Sequence, residues 1–220
     1  MKLSEIELAP RRKIGRPLSF DRHAALEQAM LTFWRHGYEA TSIVDLTTAM
    51  GVTAPSLYTA FGDKKRLFLE AARLYVGDPA VMAQTIDGAP TAYDAARAML
   101  TAAVTAYTGD TTPRGCLLAS ATASVSAAAS DVQRAISDIR KSIGDRLRTR
   151  IERDIAIGVL PSATDADTLA GLVMAVMQGM SVLARDGFVR SSLFAIAEAA
   201  LQAWPRHCDR APADRGADVE

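Results

Sequence analysis

Apolar residues recur at three- and four-residue spacing along most of the chain, and no sustained apolar–polar alternation interrupts them. That periodicity predicts helices and no sheet. Ser19 precedes a run that places Leu26, Met30, Phe33 and Trp34 on one face, and Gly37 ends it. Ser42 and Asp45 stand at capping-box spacing before a short helix through Ile43, Leu46 and Met50, which Gly51 breaks. Thr53 is a good N-cap for a third helix, Ala54–Phe61, with Pro55 tolerated in its first turn. A fourth runs from Lys64 with Leu67, Ala71 and Leu74 on one face, until Gly77-Asp78-Pro79 closes the unit.

The remainder repeats the pattern. Thr91–Tyr107 is one helix, and Gly115–Ala129 is rich in small residues. Asp131 is expected to cap a long helix with Val132, Ile136, Ile139, Ile143, Leu147, Ile151 and Ile155 inward, stopped by Gly158 and Pro161. Thr164 or Asp165 opens the next, lined by Leu169, Leu172, Val173, Val176, Met180 and Leu183. A last helix bears Leu193, Phe194, Ala197, Leu201 and Trp204 and ends at Pro205. The expected organisation is all-α: a flexible basic arm over 1–18, a helix-turn-helix unit over 19–76, a larger helical domain over 77–205, and a disordered polar tail over 206–220.

Composition changes this picture little. Of 220 residues, 49% are apolar and 23% charged, which suits a globular protein with a substantial core. The net charge is zero, but residues 1–76 carry 11 basic and 8 acidic side chains, and Arg11–Arg22 holds five basic residues against Asp21 alone. A local basic segment on a neutral chain points to a polyanion met at one place, or to a solvated tail. Cys116 and Cys208 do not form a disulfide framework, and the first residues lack the apolar stretch of a secretory signal, so a cytoplasmic location is expected. Thr168–Ala184 reads as a core helix, and no membrane partner is expected. No catalytic arrangement, metal spacing, phosphate loop or dinucleotide fingerprint is present. The chain is therefore read as non-enzymatic, without cofactor or metal, with His23, His36 and His207 as solvated residues.

The informative feature is two short helices joined across Gly51. A helix-turn-helix needs a small residue in that turn, and the second helix is too short to build a core alone. Its Ala54, Pro55, Ser56 and Thr59 are small or hydroxylic, which lets a helix end sit deep in a major groove. Spacing alone leaves a plain helical hairpin as the alternative.

The stretch Gly37–Phe68, GYEATSIVDLTTAMGVTAPSLYTAFGDKKRLF, closely resembles the signature of the tetracycline-repressor (TetR/AcrR) family. The matching residues are Gly37-Tyr38, Ala40-Thr41-Ser42, Ala49, Gly51-Val52, Leu57-Tyr58, Phe61, Lys64 and Leu67, within a similarity covering Asp21–Tyr75. The resemblance implies a ligand-responsive, DNA-binding regulator, a repressor in most such proteins, acting as a homodimer on a palindromic operator. It implies that Thr41, Ser42 and Thr53 bond phosphate or cap helices. Ala54, Pro55, Ser56 and Thr59 would then lie on the recognition helix, with Tyr58 and Lys64 meeting the DNA backbone. Pro55 and Lys65 depart from the family's usual residues. From the arm, Arg16 in Gly15-Arg16-Pro17 is placed either in an adjacent minor groove or against phosphates.

The resemblance also implies that the last two long helices pair with their mates in a second subunit. Gly171, Ala175 and Gly179 form a small-residue row that suits close approach. A small-molecule effector of unknown identity is expected among helices between 80 and 180, with Tyr93, Met99, Tyr107, Cys116, Met174, Met177 and Gln178 as candidate contacts. Two other classes remain open: a DNA-binding protein without sequence choice, and a helical small-molecule-binding module whose helix-turn-helix is vestigial.

Overall fold

The computed structural model describes residues 20–120 and 129–205. The basic arm with Arg16, the polar tail and most of the small-residue stretch lie outside the described residues. Among those described, all regular structure is helical. Ten helices follow in order: α1 (Arg22–His36), α2 (Ile43–Met50), α3 (Ala54–Phe61), α4 (Lys64–Val76), α5 (Pro79–Asp87), α6 (Ala92–Tyr107), α7 (Leu117–Ser120), α8 (Ser130–Ala156), α9 (Ala166–Arg185) and α10 (Arg190–Leu201).

α1 and α4 pack on one another and α2 and α3 close their open side, so that Phe33, Leu46, Leu57, Leu67 and Phe68 are fully enclosed. Phe33 meets Phe68 edge-on at 5.1 Å, and Tyr38 covers the same ring at 5.0 Å, the tilted geometry aromatic quadrupoles favour. In the larger unit α9 lies among α6, α8 and α10. α9 is long and apolar enough to cross a membrane by composition, but Leu169, Val173, Met180 and Ala184 are buried against neighbouring helices.

Several expectations are corrected. The cap of α1 is Asp21, whose carboxylate accepts from the His23 and Ala24 amides, two residues after Ser19. Asp131 does not cap α8, which starts at Ser130 without a side-chain cap; its carboxylate forms an ion pair with Lys65 on α4. α5 was not expected after Gly77-Asp78-Pro79, yet Asp78 caps it and Pro79 stands in its first turn, where a missing N–H costs nothing. Trp204 lies beyond α10 rather than in it and is still buried.

Arg150 and Asp154 break the apolar pattern of α8 and are both buried. Further hydrogen bonds hold the ion pair: Arg150 donates to the carbonyls of Ala89 (2.9 Å) and Pro90 (2.8 Å), and Asp154 accepts from the Ala92 amide at 2.6 Å, while Arg150 Nε is left without a partner. Buried charges persist only with such partners, and here they pin α8 to the turn that starts α6.

Among the described residues, α1 and α4 pack on α7, α4 packs on α8, and polar contacts also join the two units. The Trp34 indole N–H donates to the Gly115 carbonyl at 3.1 Å, Arg185 donates to the Trp34 carbonyl at 2.7 Å, and Lys65 pairs with Asp131. Gly115 has φ +82, and a Cβ there would lie 2.7 Å from the Ser181 carbonyl oxygen. Only glycine lets the end of α1 and the end of α9 meet at this point.

Candidate nucleic-acid interface

α2 begins with a complete capping box: the Asp45 amide donates to Ser42 Oγ at 3.1 Å, and the Ser42 amide donates to the Asp45 carboxylate at 2.8 Å. The Ser42 hydroxyl also donates to that carboxylate, and these bonds hold the Asp45 pKa below its ordinary value. α2 ends at Gly51, which adopts the left-handed conformation (φ 65) and redirects the chain within two residues. Thr53 then caps α3, accepting from the Ser56 amide at 3.3 Å.

The two faces of α3 differ sharply. Leu57 and Phe61 are buried inward, and the Arg22 guanidinium lies 4.3 Å over the Phe61 ring while its fork holds Glu70 and the Ala60 carbonyl. Outward stand Pro55, Tyr58 and Thr59, all exposed, flanked by the half-buried Ala54 and Ser56. Tyr58 is 49% exposed although it is a large aromatic residue. The helix is therefore fixed from behind and bare in front, which is the arrangement a groove-reading helix requires.

Lys64 opens α4 beside this face. Its ammonium lies 4.6 Å over the Tyr38 ring and 3.4 Å from the Glu39 carbonyl. Partial burial lowers its pKa, opposed by Glu39 and Asp45. The group remains a cation held by an aromatic face and one carbonyl, with donor capacity left for an anion.

Of the ten residues expected at DNA, the structure groups seven on or beside α3: Thr53, Ala54, Pro55, Ser56, Tyr58, Thr59 and Lys64. Ser42 is exposed at the start of α2 but spends its hydroxyl on the capping box. Thr41 is buried, and its hydroxyl donates to the Gly37 carbonyl at 2.6 Å. It braces the turn before α2 rather than facing solvent, an outcome the sequence spacing did not distinguish from an outward role.

The seven candidate effector residues do not share one cavity. Tyr93 lines a cavity of about 440 Å³ with Trp204, whose ring it meets edge-on at 5.9 Å. Met99 is buried within α6 packing. Tyr107 and Cys116 are buried together with Tyr75 nearby, and burial, followed by Cys116, pushes both phenol pKa values up. Met174 and Gln178 line an open, charged groove of about 370 Å³ between α8 and α9. Met177 is half-buried on α9. A cavity of about 480 Å³ was missed: α4, α5 and α8 enclose it with Val76, Met82, Ile139 and Ile143, and Arg73 and Arg146 stand at its edge. Its apolar signal was present in the sequence, but α5, which supplies one wall, was not expected.

Residues 25–71 match the profile described as bacterial regulatory proteins, tetR family, and residues 92–186 match the tetracyclin repressor-like C-terminal domain. The chain is 34% identical over 193 residues to the HTH-type transcriptional repressor ComR of Escherichia coli strain K12, covering 87% of this chain and 92% of that one. Over 67 residues it is 39% identical to the HTH-type transcriptional repressor BdcR of the same strain, 30% of this chain and 34% of that one. Among solved structures it is similar to a cysteine-substituted form of the TetR family transcriptional regulator CifR complexed with 26-base-pair double-strand operator DNA. The identity there is 41%, the TM-score 0.81, and the alignment covers 87% of this chain and all of the other.

Proposed function

The chain belongs to the tetR family of bacterial regulatory proteins, and from that premise we propose that it is a dimeric repressor which binds a palindromic operator through α3 and is released by a small molecule. One observation carries the DNA-binding reading: α3 is anchored by Leu57, Phe61 and Arg22 and turns Pro55, Tyr58 and Thr59 to solvent. The likeness to an operator-bound relative across 87% of the chain supports it. In this reading Tyr58 and Lys64 meet phosphate, and Arg16 of the arm adds a further contact.

The dimer is proposed to form through α9 and α10. Gly171, Ala175 and Gly179 are exposed on α9, and a Cβ at either glycine would meet nothing within 4 Å. Val182 is 57% exposed beside them. Small residues at four-residue spacing with an adjacent bare valine suit a second helix at close range. Two copies would set their α3 helices about 34–36 Å apart, in successive major grooves. The effector is proposed to enter the α4–α5–α8 cavity, whose volume and apolar walls suit a small ligand. Because α4 forms one wall and abuts α3, a ligand that prefers a displaced α4 lowers operator affinity by its own differential affinity. We further propose that the protein works in the cytoplasm as a regulator and not as an enzyme.

The test is selection of duplexes from a random pool by the purified chain, followed by titration of the selected and a scrambled duplex. The reading predicts a palindrome bound as two chains per duplex, about 10³-fold or more over the scrambled one. Equal affinity for both would favour a DNA-binding protein without sequence choice. No affinity for either at low salt would leave only the small-molecule-binding module.

A further inference from the structure

We infer that base readout by α3 rests on thymine methyl groups met by its carbon surface, and not on hydrogen bonds to purine edges; the inference rests on the operator binding proposed above. α3, with sequence APSLYTAF, contains no Arg, Lys, Asn, Gln, Asp or Glu. Those are the side chains that span two positions on a base edge and so tell one pair from another.

The hydroxyls that remain are partly engaged within the helix. Ser56 Oγ lies 2.9 Å from Thr53 Oγ1, and Thr59 Oγ1 donates to the Pro55 carbonyl at 2.8 Å. With its proton so placed, Thr59 offers a base only an accepting lone pair, which adenine and cytosine amino groups satisfy alike. The Tyr58 hydroxyl is set aside for the DNA backbone.

What α3 presents besides is carbon. The Pro55 ring and the branched side chain of Thr59 are exposed at i and i+4, neighbours on one face, and Ala54 adjoins them. None of the three is long enough to hold the helix away from a groove floor. The only apolar group on the major-groove edge of a base pair is the C5 methyl of thymine. A small carbon face pressed into that groove therefore discriminates by covering methyls, and a cytosine or purine at the same place leaves the face uncovered.

The experiment uses the full chain and the duplex obtained by selection. Each thymine is replaced in turn by deoxyuridine, which deletes only the methyl, and each guanine by 7-deazaguanine, which deletes the N7 acceptor. At one or more thymines in each half-site, affinity should fall about fourfold per methyl group covered. The 7-deazaguanine duplexes should bind as the parent does. Thr59→Ser keeps the hydroxyl and deletes the residue's own methyl, and Pro55→Ala trims the ring. In these variants the uracil effect should shrink, the mark of a direct pair, while helicity and the urea unfolding midpoint, which report an intact fold, stay close to those of the parent. Uracil without effect at every thymine, or 7-deazaguanine costing as much as uracil, would overturn the inference and leave operator binding standing. A chain that prefers no duplex at all would remove the proposed function and this inference with it.

Discussion

At the scale of single residues, the groups proposed to attract DNA differ from those proposed to read it. Lys64 is a cation pinned over the Tyr38 ring beside α3. Lys64→Ala should weaken selected and scrambled duplexes alike and reduce the slope of log affinity against log salt by about one. Tyr58→Phe should likewise weaken both equally, because phosphates carry no base identity. A change of preference in either variant would reassign that residue to base contact. Acid sensitivity is set by residues of another kind. Hydrogen bonds from Ser42, Lys65 and Thr168 hold the pKa values of Asp45, Asp131 and Asp165, respectively, below the ordinary carboxylate value. A depressed folded-state value means that the stabilisation is complete above the unfolded value and is lost as pH falls through the folded one. Unfolding midpoints should therefore be insensitive to these groups near neutrality and should drop below about pH 4. Asp131→Asn should flatten that acid limb by lowering the neutral midpoint by the same amount, a small one because the pair is exposed.

At the scale of elements, the turn between α2 and α3 is the part most sharply constrained. Gly51 holds φ 65, a conformation that other residues resist. Gly51→Ala should destabilise by about 1 kcal/mol in urea unfolding although a Cβ there meets no atom, because the cost lies in the backbone. Loss of the Thr53 cap in Thr53→Ala should cost about 1 kcal/mol more directly at α3, and it should weaken operator binding beyond that by releasing Ser56. Elements of this kind were legible in the sequence because each is local: an apolar period, a cap, a glycine. α1 to α4, α6, α9 and α10 followed from those signals within a few residues. α5 did not, because its nine residues bury Ile86 alone and leave little period to read. The exposed face of α3 was legible for the same local reason. The role of Asp131 was misread because its partner, Lys65, depends on how the chain returns on itself. The α4–α5–α8 cavity was not legible for a tertiary reason: α8, which closes it, lies far along the chain from α4 and α5.

At the scale of the whole molecule, regulation requires that the larger unit and α3 share one framework. Trp34, Gly115 and Arg185 bring the ends of α1 and α9 together, and Lys65 ties α4 to the start of α8. Gly115→Ala places a methyl group against the Ser181 carbonyl and against Arg185, at a φ of +82. It should cost about 1–3 kcal/mol and should uncouple the units, so that, with Trp204→Phe as background, unfolding followed by Trp34 fluorescence no longer coincides with unfolding followed by helicity. At this same scale, the proposed function has two copies of α3, carried by one dimer, meet one face of a duplex. Hydroxyl-radical footprinting of the selected duplex at low salt tests it most directly. The account predicts two protected patches on the same face, centred about one helical turn apart, both lost on removal of the protein's Tyr58 hydroxyl and Lys64 ammonium together. A single patch, uniform protection along the duplex, or none would contradict it.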